Sequence, residues 1–185
     1  MRPIARALLR VGVHPDTVTW CGALGVSVVC LICFPNGWLW QGALLAMLLS
    51  CSDMVDGHMA RESGSGSAWG SFLDSTLDRV ADAALLGALA WWLGLTAGPT
   101  WAALAIWALV AAQLTSYVKA RAEAVGVRAD VGLVTRADRV AVALLGALLT
   151  GLGVPAALEA AVSVLAVGGS VTCAQRMITV RRQLV

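Results

Sequence analysis

The chain is a succession of apolar stretches of about twenty residues each, the length a helix needs to cross a bilayer, divided by short turns. No other feature limits its fold so tightly. The stretches run over about 17–34, 38–60, 69–95, 101–124, 133–152 and 156–180. Hydrophobic residues make up 59% of the 185 and charged residues 13%, roughly half the charged share of an ordinary soluble domain. A separate soluble domain has no room. The expected fold is all-α and integral to the membrane, one domain over 1–185, with six transmembrane helices in a bundle over 14–182.

Residues 1–13 read differently. Arg2, Arg6 and Arg10 repeat every four residues, while Ile4, Leu8 and Val11 face the other way and Leu9 interrupts the pattern. That spacing predicts a short amphipathic helix lying in the interface; a basic targeting leader is the alternative, and no cleavable signal peptide is recognisable. His14-Pro15-Asp16-Thr17 then marks a helix start, with Pro15 or Asp16 at the boundary and His14 a boundary residue rather than a ligand. Cys21, Cys30, Cys33, Cys51 and Cys173 all lie in apolar stretches. They lack the polar flanks of a disulfide or zinc framework, and Cys30-x-x-Cys33 reads as packing rather than a redox pair.

Orientation follows from the basic residues. With six spans, all 13 Lys and Arg fall on one side. The turns near Pro35, Gly98 and Pro155 hold none, and Glu159 is the one charge on that side. The positive-inside rule therefore places both termini in the cytoplasm, and the expected location is the inner (cytoplasmic) membrane, multi-pass. Trp38, Trp40, Trp91, Trp92 and Trp101 gather at the opposite interface as an aromatic belt.

Against that apolar background the segment 52–82 stands out. Asp53 and Asp56 are three apart and Asp74 and Asp78 four apart, so each pair shares one face of a helix. Ionised acids at a bilayer persist where they pair, bind a cation or line a watery cavity. Four carboxylates from two helix ends make a hard oxygen site suited to Mg²⁺, Mn²⁺ or Ca²⁺ rather than zinc or copper. Such a metal would hold a phosphate or diphosphate. Gly57 admits close approach to backbone, Arg61 offers a forked donor, and Gly70 thins the second helix where the first packs. Asp82, one turn further on, is read as structural, paired with Arg79 or another base.

The run Asp53-x-x-Asp56-Gly57-x-x-Ala60-Arg61, eight residues, Gly70-x-x-x-Asp74-x-x-x-Asp78 resembles the CDP-alcohol phosphotransferase signature at every fixed position and spacing. The resemblance implies transfer of a phosphatidyl group from CDP-diacylglycerol to an alcohol, with release of CMP. It implies two divalent ions (Mg²⁺ or Mn²⁺), or one ion plus an exchangeable second, on Asp53, Asp56, Asp74 and Asp78, with Asp78 also the general base. CDP-diacylglycerol would be bound by Thr19, Asp53, Asp56, Gly57, Ala60, Arg61, Gly70 and Asp74. Thr19 enters because Pro15, Asp16 and Thr19 match an element that lies near the nucleotide in the family.

Three further pieces, 116–123 (SYVKARAE), 135–139 (TRADR) and 175–183 (QRMITVRRQ), are similar to the branch of the family whose acceptor is myo-inositol phosphate. That implies an acceptor-phosphate pocket of Lys119, Arg136 and Arg176, supported by Arg139. Arg136 and Arg176 look set inside helical runs, where charges face a cavity. The branch that uses glycerol 3-phosphate would also need a basic pocket and is the nearest alternative. A divalent-cation or proton transporter is a distant one, in which Gly57, Ala60, Arg61 and Gly70 have no special task. Family members are homodimers through membrane helices, and Gly87, Ala88 and Gly146 would permit close contact. Membrane lipids and CDP-diacylglycerol are the implied partners, and nucleic acid is not among them.

Overall fold

In a computed structural model the described residues are 14–50 and 67–185. The expected interfacial helix and Asp53, Asp56, Gly57, Ala60 and Arg61 lie outside them. The described residues form six α-helices and no strand: α1 Pro15–Cys33, α2 Leu39–Ser50, α3 Ala68–Thr96, α4 Pro99–Ala124, α5 Arg136–Gly151 and α6 Ala157–Leu184. Of these, Asp16–Cys33, Pro99–Ala124 and Ala157–Leu184 are long and apolar enough to cross a membrane. At 29 residues, α3 extends about 43 Å at 1.5 Å per residue.

Local chemistry sets the helix ends. His14 is the N-cap of α1, its Nδ1 accepting from the Asp16 amide at 3.3 Å. Pro15 follows at N1, where its missing N–H costs nothing. The α1–α2 turn closes with Gly37 at φ +79°, a conformation that favours glycine. Ser67 caps α3 by accepting from the Gly70 amide at 2.9 Å, and Gly98 followed by Pro99 turns α3 into α4. The fifth helix begins later than expected, at Arg136 rather than Leu133. Thr135 and Asp138 form a capping box that starts it there, and Thr172 Oγ1 accepts from the amides of Leu133 and Val134 at 3.1 Å, holding both outside the helix.

The helices pack as a closed ring in the order α1, α2, α5, α6, α4, α3 and back to α1, with α3 also meeting α5 across it. Leu85, Leu89 and Leu93 of α3, Leu144 of α5 and Leu158, Val162 and Leu165 of α6 fill the interior with apolar side chains. Small residues bring the backbones close. A Cβ on Gly42 would lie 2.6 Å from Cys33 Cβ and 2.8 Å from Phe34 Cε1, so α1 and α2 meet where only hydrogen fits. Gly146 serves the same end against Ala161 of α6, and Ala88 is buried inside the ring. Gly146 therefore packs within the chain, whereas Ala88 also borders a surface groove with Leu31, Pro35, Gly87 and Trp91; Gly87 has no atom within 4 Å of its Cβ position. Leu24, Val28, Leu48, Ile106, Val164 and Val167 point outward and are exposed, as expected of a surface solvated by lipid.

Candidate active site

Three carboxylates descend one face of α3, a turn apart. Asp74 is exposed, the Asp78 side chain is 16% exposed and that of Asp82 4%. Going inward along this stripe each acid loses water, and Asp78 and Asp82 are each met by two arginines. Asp78 Oδ1 lies 2.9 Å from Arg136 Nη1, and Asp78 Oδ2 lies 3.5 Å from Arg79 Nη2. Asp82 Oδ1 is 3.4 Å from Arg136 Nε, and its Oδ2 accepts from Arg139 Nη2 at 3.4 Å.

Behind these arginines, Thr115 of α4 is fully buried. Its Oγ1 accepts from Arg139 Nη1 at 3.2 Å, and its carbonyl accepts from Arg176 Nη1 at 2.6 Å. Arg176 Nε also donates to the Val131 carbonyl at 2.8 Å, which ties α6 to both α4 and the 125–135 connector. Gln183 holds the same connector further out, donating to the Arg128 carbonyl and accepting from its amide. At Gly132 a Cβ would collide with Thr172 Cγ2, so the connector passes this close to α6 only because that residue is glycine. Lys119 of α4 reaches Asp130 at 2.6 Å. That hydrogen bond and the ammonium charge hold the Asp130 carboxyl below its ordinary range.

Together these elements border an open cavity of about 650 Å³. Its walls bring together Asp78, Lys119, Arg136, Arg139 and Arg176, so all four residues expected to bind acceptor phosphate face one space beside the expected base. Arg136 is not set inside a helical run as expected; it is the first residue of α5. The positive end of the α5 dipole thus adds to the arginines at this wall. Arg176 does sit within its helix. Arg139 is buried, 5% exposed, with its guanidinium committed to Asp82 and Thr115.

Thr19 of α1 is buried and shares a small void of about 20 Å³ with Asp78, Asp82 and Arg136. It therefore stands next to the carboxylate stripe. Near Gly70 a Cβ would meet Ser67 Oγ at 3.4 Å and Asp16 Oδ1 at 3.6 Å, ordinary contacts, so no described neighbour demands glycine there. Asp53 and Asp56 lie outside the described residues, and among the described residues no three metal-ligating side chains gather. Asp74 and Asp78, one turn apart on one face, supply hard anionic oxygens, and Asp78 lines the cavity. That donor chemistry fits Mg²⁺ or Mn²⁺.

Sequence reasoning passed over Thr115, Thr172 and Gln183. A threonine inside an apolar helix is an unremarkable residue until the backbone or guanidinium it serves is known. Asp82 was visible at its i+4 spacing, but its double pairing to α5 was not.

The model of the CDP-alcohol phosphatidyltransferase family matches residues 12–180. Phosphatidylinositol phosphate synthase of Cutibacterium acnes is 48% identical over 194 residues, covering 98% of this chain and 92% of that protein. The synthase of Mycobacteroides abscessus is 46% identical over 181 residues, covering 97% and 82%. Among solved structures, Mycobacterium tuberculosis phosphatidylinositol phosphate synthase with CDP-DAG bound superposes with a TM-score of 0.92 at 41% identity, over 96% of this chain and 92% of that one. The same protein in complex with manganese and citrate gives a TM-score of 0.92 at 40% identity, over 97% and 88%.

Proposed function

The chain belongs to the CDP-alcohol phosphatidyltransferase family, and on that premise we propose that it transfers the phosphatidyl group of CDP-diacylglycerol to a hydroxyl of myo-inositol phosphate, giving phosphatidylinositol phosphate and CMP. One observation carries the choice of acceptor. The basic wall of Lys119, Arg136 and Arg176 and the carboxylate of Asp78 face the same 650 Å³ cavity. A phosphorylated polyol can place its phosphate on the arginines and its hydroxyl toward Asp78. Guanidinium groups are suited to the first task because their planar donors match phosphate oxygens.

In this reading Asp78 takes the proton from the acceptor hydroxyl. The oxygen forms its bond to the phosphatidyl phosphorus as the bond from phosphorus to the CMP oxygen breaks, and CMP leaves with the electron pair. Asp53, Asp56, Asp74 and Asp78 would hold the divalent ions, Mg²⁺ or Mn²⁺ and two per site. Bound there, the ions would supply charge neutralisation at the diphosphate and would help acidify the hydroxyl. Thr19, Gly57, Ala60, Arg61 and Gly70 would contact the CDP-diacylglycerol. Lys119 and Arg176 fix the far end of the acceptor, so its hydroxyl meets the donor in one orientation.

The same reading takes all six helices as membrane spans. The cavity then faces the cytoplasm, because every Lys and Arg lies at that end and the three opposite turns carry none. Residues 1–13 lie in the interface, and the enzyme works as a homodimer in the inner membrane. The decisive assay offers purified protein CDP-diacylglycerol and Mg²⁺ with inositol phosphate, glycerol 3-phosphate, inositol or serine in turn. CMP release is expected with inositol phosphate. Preference for glycerol 3-phosphate would replace the acceptor, and no CMP with any alcohol would remove the activity.

A further inference from the structure

Asp82 lies outside the signature and takes no part in the transfer as described, yet it is the most deeply buried carboxylate among the described residues. Its two oxygens face two arginines of α5, Arg136 Nε and Arg139 Nη2, each at 3.4 Å. Both arginines line the cavity and Asp82 does not. It stands behind them. Dehydrating a carboxylate and its partners costs several kcal/mol, and apolar side chains of similar volume join two helices as well or better. Holding α3 to α5 is therefore not a sufficient reason for an acid here.

What an apolar residue cannot do is aim a guanidinium. Arg136 opens α5, the end at which the helix dipole disfavours a cation. Asp78 Oδ1 lies 2.9 Å from Arg136 Nη1, and Asp82 Oδ1 lies 3.4 Å from Nε, an ion pair without a hydrogen bond, so the buried charge of Asp82 draws the Nε edge of the guanidinium inward. Arg139 is held between Asp82 and Thr115 Oγ1.

We propose that Asp82 is a positioning residue for the acceptor site, which holds Arg136 against the cavity wall and backs it with Arg139. The proposal rests on the reading of that cavity as the place where a phosphorylated acceptor binds. Its ligand class is a phosphomonoester, recognised through the arginine plane that Asp82 sets.

The test is steady-state CMP release by the full-length protein in detergent or liposomes, with inositol phosphate and CDP-diacylglycerol varied separately. Asp82→Asn keeps the shape and removes the charge. It is expected to raise the acceptor KM roughly tenfold or more and to leave the KM for CDP-diacylglycerol within about twofold. Asp82→Glu keeps the charge, and the 20 Å³ void beside Asp82 accommodates its extra methylene, so most of the acceptor KM should return. The double variant Asp82→Asn/Arg139→Met removes one buried charge of each sign, which protects the fold if the single variant does not survive purification. If Asp82 served only to neutralise Arg139, the double variant would match Arg139→Met alone in acceptor KM, and the proposal would be overturned; a KM raised well beyond that of Arg139→Met supports it. An unchanged acceptor KM in Asp82→Asn overturns it as well. Wild-type protein inert toward every phosphorylated acceptor would instead overturn the functional reading beneath it.

Discussion

Arg176→Ala tests the acceptor pocket most directly, because the structure states how much of this side chain is already in use. Nε donates to the Val131 carbonyl and Nη1 to the Thr115 carbonyl. What remains for a ligand is the outer edge of the guanidinium, worth about one charge-assisted hydrogen bond, or roughly 1.5–3 kcal/mol. If that bond forms equally in the ground state and the transition state, its loss appears in KM and not in kcat. The expected rise in acceptor KM is then roughly 10- to 150-fold, since each tenfold corresponds to about 1.36 kcal/mol. Arg176→Lys supplies an ammonium but cannot bridge both carbonyls while presenting a fork to phosphate, so it should fall between the alanine variant and the wild type. Initial rates of CMP release at saturating CDP-diacylglycerol measure the KM, and hydrogen exchange over residues 125–135 measures the connector. Faster exchange with an acceptor KM within about threefold of wild type would reduce Arg176 to a brace for the connector and refute its place in the acceptor site.

Three other outcomes are expected. Asp78→Asn should lower kcat by about 10²- to 10⁴-fold, the usual worth of a positioned base, with the protein still folded by size-exclusion and thermal scans; turnover near the wild-type rate would deny Asp78 that task. Gly42→Ala should destabilise by about 1–3 kcal/mol, because the added Cβ would fall 2.6 Å from Cys33 Cβ; thermal unfolding in detergent beside the outward control Leu48→Ala reads the difference. The Asp130 carboxyl is held below its ordinary value by Lys119, so this bridge is intact above the ordinary carboxylate range and is lost only as pH falls through the lower folded-state value. The ratio of Asp130→Asn to wild-type activity should therefore stay flat between about pH 5 and 7.5, and a ratio that changes across that window would contradict the assignment.

Membership of the family was legible because its signature is local. Asp74 and Asp78 need only helical periodicity to share a face, and α3 supplies it. Helix ends were legible where a cap or a Gly-Pro pair marks them, as at His14-Pro15 and Gly98-Pro99. The start of α5 was misread because Leu133 and Val134 look like helix-forming residues. Their amides are instead taken by Thr172, 39 and 38 residues further along. A hydrogen bond of that separation leaves no mark in a local pattern.

The linear order of residues was enough to determine a helical chain of membrane type, an acidic stripe on one helix face and the type of chemistry such a stripe supports. Hydropathy, charge placement and i+4 spacing are properties of neighbours along the chain. Only packing decided which cation meets which acid. The ring places α5 against α3, so Arg136 falls between Asp78 and Asp82; it places α6 against α4, so Arg176 reaches Thr115 and the connector. Those pairings join residues far apart in the chain, so they depend on which helices lie side by side.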